Sequence, residues 1–365
     1  MKLACTGDWH IHQFQEFSNH ITVSWSNSLK RFIQDTNGRE MNSRLFNILN
    51  GICDLRDYCV ENKIKYVLNA GDVFHKRGNI NVETFNAAYK VIESFNDYGI
   101  SLICIAGNHD QVDASENPST SIHTLKKICT IIEEPSVFCT SQFRICCLPY
   151  NRNRDLMLGS LDEFAQNEDR SKSILLAHLG VSGAVVGSGM YVMTDEYTLD
   201  DLKASKWKYV VLGHYHRPQK LLENAFYCGT PVQNSFNDEL PGKDGYNGFY
   251  VIDLEQENSV EFVPIIQPRF ITLNTPADLV DFWTPDNYYR VKVDSTKIDK
   301  IDQEQLSQNI KIELEKDYSE ESRSAISLSD DYATVLRKYV EEKYTGDNPK
   351  ILDVGAEILH EAVTK

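Results

Sequence analysis

The opening stretch of this chain and four short apolar runs after it each lead into a cluster of aspartate, asparagine and histidine, most of them introduced by glycine. Gly7-Asp8-Trp9-His10 comes first. Lys65–Asn69 (KYVLN) leads to Gly71-Asp72-Val73-Phe74-His75, and Ser101–Ile105 (SLICI) to Gly107-Asn108-His109-Asp110. Ser173–Leu176 (SILL) then leads to Ala177-His178, and Tyr209–Leu212 (YVVL) to Gly213-His214-Tyr215-His216. Runs of this length and composition read as buried strands. Between the early ones lie apolar residues at three- and four-residue steps: Leu45, Ile48, Leu49, Ile52, Leu55, Tyr58 and Cys59, then Phe85, Ala88, Tyr89, Ile92 and Phe95. Strand–helix–strand order predicts an α/β fold with a largely parallel or mixed sheet. In such sheets, groups at the carboxyl ends of strands share one edge, so clusters about 200 residues apart in sequence can converge.

The convergent set is two carboxylates, one amide oxygen and four or five imidazoles. Mixed nitrogen and oxygen ligands without thiolate suit manganese, iron or zinc rather than calcium or an iron–sulfur cluster. The set exceeds what one ion can use. Two ions about 3.5–4 Å apart would consume it, as in sites that clamp the attacking and leaving oxygens of a phosphoryl displacement.

The order DxH, GDxxH, GNHD, H, GHxH resembles the calcineurin-like metallophosphoesterase superfamily over residues 1 to about 265. GDVFH, and GHYH followed by CGTPVQNSF, are similar to the SbcD nuclease family, the meiotic-recombination-eleven type. The short chain and compact tail are most similar to the recombination endonuclease subunits of T-even phages. The resemblance implies a two-sheet sandwich flanked by helices over 1–265, then a small α+β capping domain over 266–317. A linker over 318–330 and a C-terminal helical pair over 331–365 would follow. It implies one metal held by Asp8, His10, Asp72 and His216, and a second by Asp72, Asn108, His178 and His214, with Asp72 bridging. The ions would be divalent, manganese first and magnesium as the alternative, with a water between them as nucleophile. His109 would face the scissile phosphate as an acid or charge stabiliser, Asp110 would orient His109, and His75 would stand at the substrate edge.

What it implies in function is a DNA exo- and endonuclease subunit of a nuclease–ATPase complex, its tail helices gripping an SbcC-like partner. A homodimer would form through Ser43–Glu61 and Asn81–Asn96, with Phe46 and Tyr58 as outward candidates. The alternatives are a nucleotide phosphodiesterase or protein phosphatase of the same fold, or a metal-free scaffold. A phosphatase would read GDxVDRG and GNHE where this chain has GDVFHKRG and GNHD, and a scaffold would have lost ligands.

Charge sharpens that reading. Lys+Arg 37 against Asp+Glu 53 gives −16, with no long basic run, so a DNA-acting chain of this kind needs metal cations or a partner that grips the nucleic acid. There is no GxxxxGK[ST], so ATP dependence must come from another chain. Nine cysteines without a CxxC pair read as reduced thiols, and the most apolar window, Ser173–Met193, carries His178 and four glycines. No signal peptide and no membrane span are expected, which points to the cytoplasm.

His12, His20, His123 and His360 lie outside the motif blocks and read as structural or surface residues. A segment from Gln13 to Glu40 follows the first motif as an insertion. Cys146 and Cys147, in FRICCLP, read as core strand. Beyond Pro264 and Pro268, strands are expected at Arg269–Leu273 and Tyr288–Val293 and a helix at Gln303–Lys316. In the tail, Tyr332, Val335, Leu336, Tyr339, Val340 and Tyr344 mark one helical stripe, and Ile351, Leu352, Ile358, Leu359, Ala362 and Val363 another.

Overall fold

The structure, a computed structural model, describes residues 1–113, 115, 118–166, 170–187, 191–242, 245–275, 283–294, 307–314, 332–343 and 351–356. Two six-stranded sheets dominate it. The first runs in the order Val260–Pro264, Gly248–Asp253, Lys2–Thr6, Tyr66–Asn69, Ser101–Ile105, Thr130–Ile132. The last four of these are parallel, and Gly248–Asp253 pairs antiparallel with Lys2–Thr6. The second runs Gln219–Lys220, Ala225–Tyr227, Tyr209–Gly213, Ser173–His178, Arg144–Leu148, Ser136–Cys139, parallel from Ala225–Tyr227 through Arg144–Leu148.

Period-two alternation stacks the sheets. Leu3, Cys5, Leu68 and Ile103 meet Ile145, Cys147, Ile174, Leu176 and Val211 between the layers. The intervening residues face outward but stay buried, because helices cover them. Helices α1 (Ser43–Glu61) and α2 (Val82–Asp97) lie with Ala4 and Val67 in one outer core, and α3 (Arg154–Ala165) with Cys146, Leu175 and Val210 in the other. Asn42, Asn81 and Asn153 cap the three helices, each side chain accepting a first-turn N–H. The sandwich flanked by helices is therefore the observed fold.

The Gln13–Glu40 insertion is not a simple loop. Its strands His20–Ser26, Arg31–Gln34 and Arg39–Asn42 form a separate antiparallel sheet laid on α1. Val23, Phe32 and Met41 enter the helix-side core. Arg31 donates to Asn50 and Asp54, and Arg56 donates to the Leu29 and Lys30 carbonyls. Tyr58 and Phe46, the outward candidates for a homodimer, are half-buried against this core, with the Tyr58 ring 5.3 Å from Phe249.

Phe270–Leu273 and Tyr288–Val293 pair in parallel, and Ile310–Leu314 completes a small third sheet. The helix expected over Gln303–Lys316 is thus a strand in its described part. Ile310 and Ile312 alternate onto Tyr289 and Val291, a period of two that the isolated sequence window does not separate from a helical one. Residues 1–293 with 299–313 make one compact unit, so this small sheet belongs with the sandwich, and residues 294–298 with 314–365 make a second. In the second unit α4 (Tyr332–Lys343) and a short helix at 351–356 pack together, Gly355 lying directly against Leu336. The expected linker over 318–330 lies outside the described residues. No helix among the described residues is long and apolar enough to cross a membrane, and the nine cysteines form no disulfide.

Candidate metal centre

The motif residues meet where the strands of both sheets end. The first sheet delivers Asp8 and His10, Asp72 and His75, and Asn108 with His109; the second delivers His178, His214 and His216. Reaching inward from these ends bends the backbone into the left-handed region at four of them: Asp8 (φ 50°), His10 (46°), Asp72 (55°) and His214 (104°). Such a conformation costs a residue with a Cβ roughly 1–2 kcal/mol and persists only where the surroundings enforce it. Two glycines make room. Gly71 has φ 101° and abuts His178 Nδ1, and a methyl on Gly107 would fall on the Asp72 carboxylate.

The polar atoms show what the space between them needs. His178 Nδ1 lies 2.7 Å from the Ala70 carbonyl, which can only accept, so Nδ1 carries the proton and Nε2 offers a lone pair. That lone pair faces Asn108 Oδ1 at 3.0 Å and Asp72 Oδ2 at 3.5 Å. Asn108 Oδ1 is also 3.0 Å from His214 Nδ1. On the other side of Asp72 Oδ2, at 3.6 Å, stands His10 Nε2, buried and without a hydrogen-bond partner. Acceptors facing acceptors in a buried site repel unless a cation joins them. Their spacing suits it: ligands about 2.1 Å from a cation stand roughly 3.0–3.4 Å apart at octahedral to tetrahedral angles. Asp8 with His10 and His216, and Asp8 with Asp72 and His178, are each close enough to share an ion. Asp72 Oδ2, between the His10 and His178 nitrogens, occupies a bridging position.

Electrostatics agrees with that fit. Burial, and then the imidazoles around them, hold His75 at about 4 and His214 at about 3, and push His10 well below the ordinary histidine value. These rings are neutral at physiological pH, the form that binds metal. Burial lifts Asp8 to about 6, opposed by His178 and His216. His216 goes the other way. Burial would lower it, but Asp238, then Asp8 and Asp72, raise it to about 9.

Asp238 was not singled out in the sequence, yet its Oδ1 lies 2.8 Å from His216 Nδ1 while Oδ2 accepts the Asn234 and Ser235 N–H groups. The available signal was Ser235-x-x-Asp238, a capping box on the short helical turn Phe236–Asp238. The same turn is anchored by Arg44, whose buried guanidinium donates to the Asn234 and Glu16 carbonyls and lies over the rings of Phe14, Phe270 and Tyr288.

His75, His10 and His109 also converge. His109 Nδ1 donates to the His75 carbonyl at 2.7 Å, and its own N–H donates to Asp72 Oδ1 at 2.8 Å. Asp110, expected to orient the His109 ring, does something else. Its carboxylate accepts the backbone N–H of Gly107, Phe74 and Val73 at 2.9, 3.1 and 3.3 Å, so it fastens the Asp72 loop to the Asn108 loop. Adjacent residues in a tight turn point apart, which is why neighbourhood in sequence misled here. His12, read as structural or surface, stands beside the site with its ring 5.3 Å from His75. His123 pairs with Glu133 outside the ligand set.

The model of the calcineurin-like phosphoesterase family matches residues 1–218. The chain belongs to that family. It is 25% identical over 267 residues to exonuclease subunit 1 of Enterobacteria phage T4, covering 72% of this chain and 68% of that protein. It is 21% identical over 184 residues to a putative phosphoesterase, 078R, of Invertebrate iridescent virus 3, covering 49% of this chain and 51% of that one. A dimetal phosphatase from Danio rerio matches among solved structures, with 9% identity, 69% of this chain and 91% of that chain covered, and a TM-score of 0.36. The family match, together with the acceptor set described above, makes this chain a metal-dependent phosphoesterase whose aspartates and histidines could hold divalent ions.

Proposed function

We propose that the chain is a DNA nuclease with two divalent ions, manganese by preference, and the nuclease subunit of an SbcCD-like nuclease–ATPase complex acting in DNA end processing, recombination or repair. The observation that carries the reading is Asp72 Oδ2 placed between the His10 and His178 nitrogens within a set of buried acceptors. The exonuclease subunit among its relatives supports the substrate. Bound ions would supply positive charge to a phosphodiester and lower the pKa of a water toward neutrality. The chain's own residues do the rest. Asp8, His10, Asp72 and His216 form one half of the cradle, and Asn108, His178 and His214 complete the other around Asp72. His109, its Nδ1 proton fixed on the His75 carbonyl, leaves Nε2 as the nitrogen that takes up a proton and, from the imidazolium so formed, would pass it to a leaving oxygen.

The tail supports a partner. Tyr339, Ile351 and Val354 are exposed on the two helices of the second unit, an apolar face suited to the coiled-coil base of an SbcC-like ATPase. That partner would also bring the DNA-gripping surface that a chain of net charge −16 lacks. A homodimer would have to use what α1 and α2 leave exposed, Val60 and Val82 among it; light scattering at tens of micromolar reads it out. The deciding experiment places the purified full chain with Mn²⁺ on single-stranded, blunt and hairpin DNA, beside a p-nitrophenyl phosphodiester and a phosphopeptide. Selective DNA cleavage is expected, and phosphopeptide turnover in its place would overturn the reading.

A further inference from the structure

A cavity of about 550 Å³ lies beside the metal centre, between the chain that follows Asp110 and helix α3. Tyr150 is the wall it shares with the metal centre. The Tyr150 ring lies 6.2 Å from His214 and nearly parallel to it (24°), and 6.2 Å from the edge-on ring of His178. One face of the tyrosine thus lies toward a ligand of the metal cradle, while the same residue lines the cavity. Gln111, only 7% exposed, donates Nε2 to the Tyr150 carbonyl at 2.7 Å, which fixes the amide and leaves its oxygen as the end a ligand can use. Leu156 and Ser160 of α3 form the facing wall, the Ser160 hydroxyl donating to the Leu156 carbonyl within the helix.

The charge of the lining decides what kind of group fits. Glu133 and Glu134 line the cavity and, among the described residues that line it, there is no lysine or arginine. Glu133 is held by Lys126, His123 and Thr120, so it stays ionised at neutral pH. Because Lys126 is already paired with Glu133, a phosphate finds no free lysine or arginine among the described residues of the lining. A neutral, flat, hydrogen-bonding group needs none, and the volume suits a small organic moiety.

We propose that this cavity receives the base and sugar of the nucleotide next to the scissile phosphodiester, with the base against Tyr150 and its edge toward Gln111. The proposal rests on the nuclease reading, and makes that nuclease one that takes an unpaired nucleotide, because a base inside a duplex has no free face for the tyrosine.

The test compares two esters on the Mn²⁺-loaded full chain: thymidine 5′-(p-nitrophenyl phosphate), and methyl p-nitrophenyl phosphate, which has neither base nor sugar. Stacking of one base predicts a KM about tenfold lower for the thymidine ester. Ser160→Trp, which fills the cavity from α3, should erase that difference while leaving the methyl ester's kcat and KM unchanged. Leu156→Trp, at a rim position that is 44% exposed, repeats the test should the first variant fail to fold. Equal KM values for the two esters in the wild type, or variants that slow both alike, would overturn the proposal. Saturation-transfer NMR with thymidine and 2-deoxyribose on the metal-free chain gives a second readout. Thymidine signals should appear with the wild type and vanish with Ser160→Trp, and signals that survive in the variant count against the cavity. Should neither ester be hydrolysed, the phosphodiesterase reading falls, while the NMR arm still decides the cavity.

Discussion

Replacing Asp110 separates two roles that its position next to His109 confounds. Its carboxylate takes three backbone N–H groups from the loops that carry Asp72 and Asn108. Asp110→Ala leaves three buried donors unpaired, at about 1–3 kcal/mol each, a loss comparable to the whole stability of many domains. Asp110→Asn is the informative variant. It keeps one oxygen but turns an NH2 toward N–H groups, so one or two of the three bonds go, about 2–4 kcal/mol. Because the two loops then part, thermal midpoint and bound metal by elemental analysis should fall together. Turnover per bound metal on a p-nitrophenyl phosphodiester should stay within a few-fold of wild type. The opposite pattern refutes this reasoning: unchanged melting and metal content, with turnover down roughly 10²–10⁴-fold, would mean Asp110 acts through His109.

The remaining predictions are simpler. Asp72→Asn should abolish activity and weaken both halves of the metal cradle, whereas His109→Ser should keep metal content near normal and cut turnover roughly 10²–10⁴-fold; equal metal loss in the two would reverse the assignment of His109. With His216 raised to about 9, metal binding at pH 7.5 must expel its proton, so an unbuffered titration should register about one proton released per chain from this group. The sign follows from its being charged without metal and neutral when ligating; Asp238→Asn should shrink that release and lower metal affinity roughly 10–100-fold, and an unaltered release would remove Asp238 from the site. Deleting residues 331–365 should leave Mn²⁺-dependent cleavage of single-stranded DNA intact and eliminate co-purification with the ATPase; a truncated chain that still captures its partner undiminished would show the tail helices to be packing elements only.

Much of the sandwich was legible because its strands are buried on both faces and therefore read as unbroken apolar runs. Ser173–His178 is the clearest case, every residue of it buried. The converging aspartates and histidines were legible for a related reason, since the first ligand of each cluster sits two or three residues past such a run. What was hidden depends on contacts between distant segments. The Gln13–Glu40 insertion looks polar and loop-like because its sheet buries only Val23, Phe32 and Met41 against α1. The capping box at Asp238 marks a turn but not its partnership with His216, 22 residues earlier. Asp110 shows the limit most clearly, because the turn that brings His109 to the site sends its neighbour's carboxylate the other way.

The metal cradle draws from both layers of the sandwich, and this bears on how such a chain can change over evolutionary time. Each acceptor costs least while a cation balances the others. A descendant that gave up catalysis by losing one ligand would keep the rest as mutually repelling lone pairs at the seam where two sheets meet. Retiring the site should therefore proceed in jumps, with several polar residues from both sheets exchanged for apolar ones almost together. Partial ligand sets in related chains would mark a centre that still binds an ion, in altered form, more often than one on its way to becoming a scaffold.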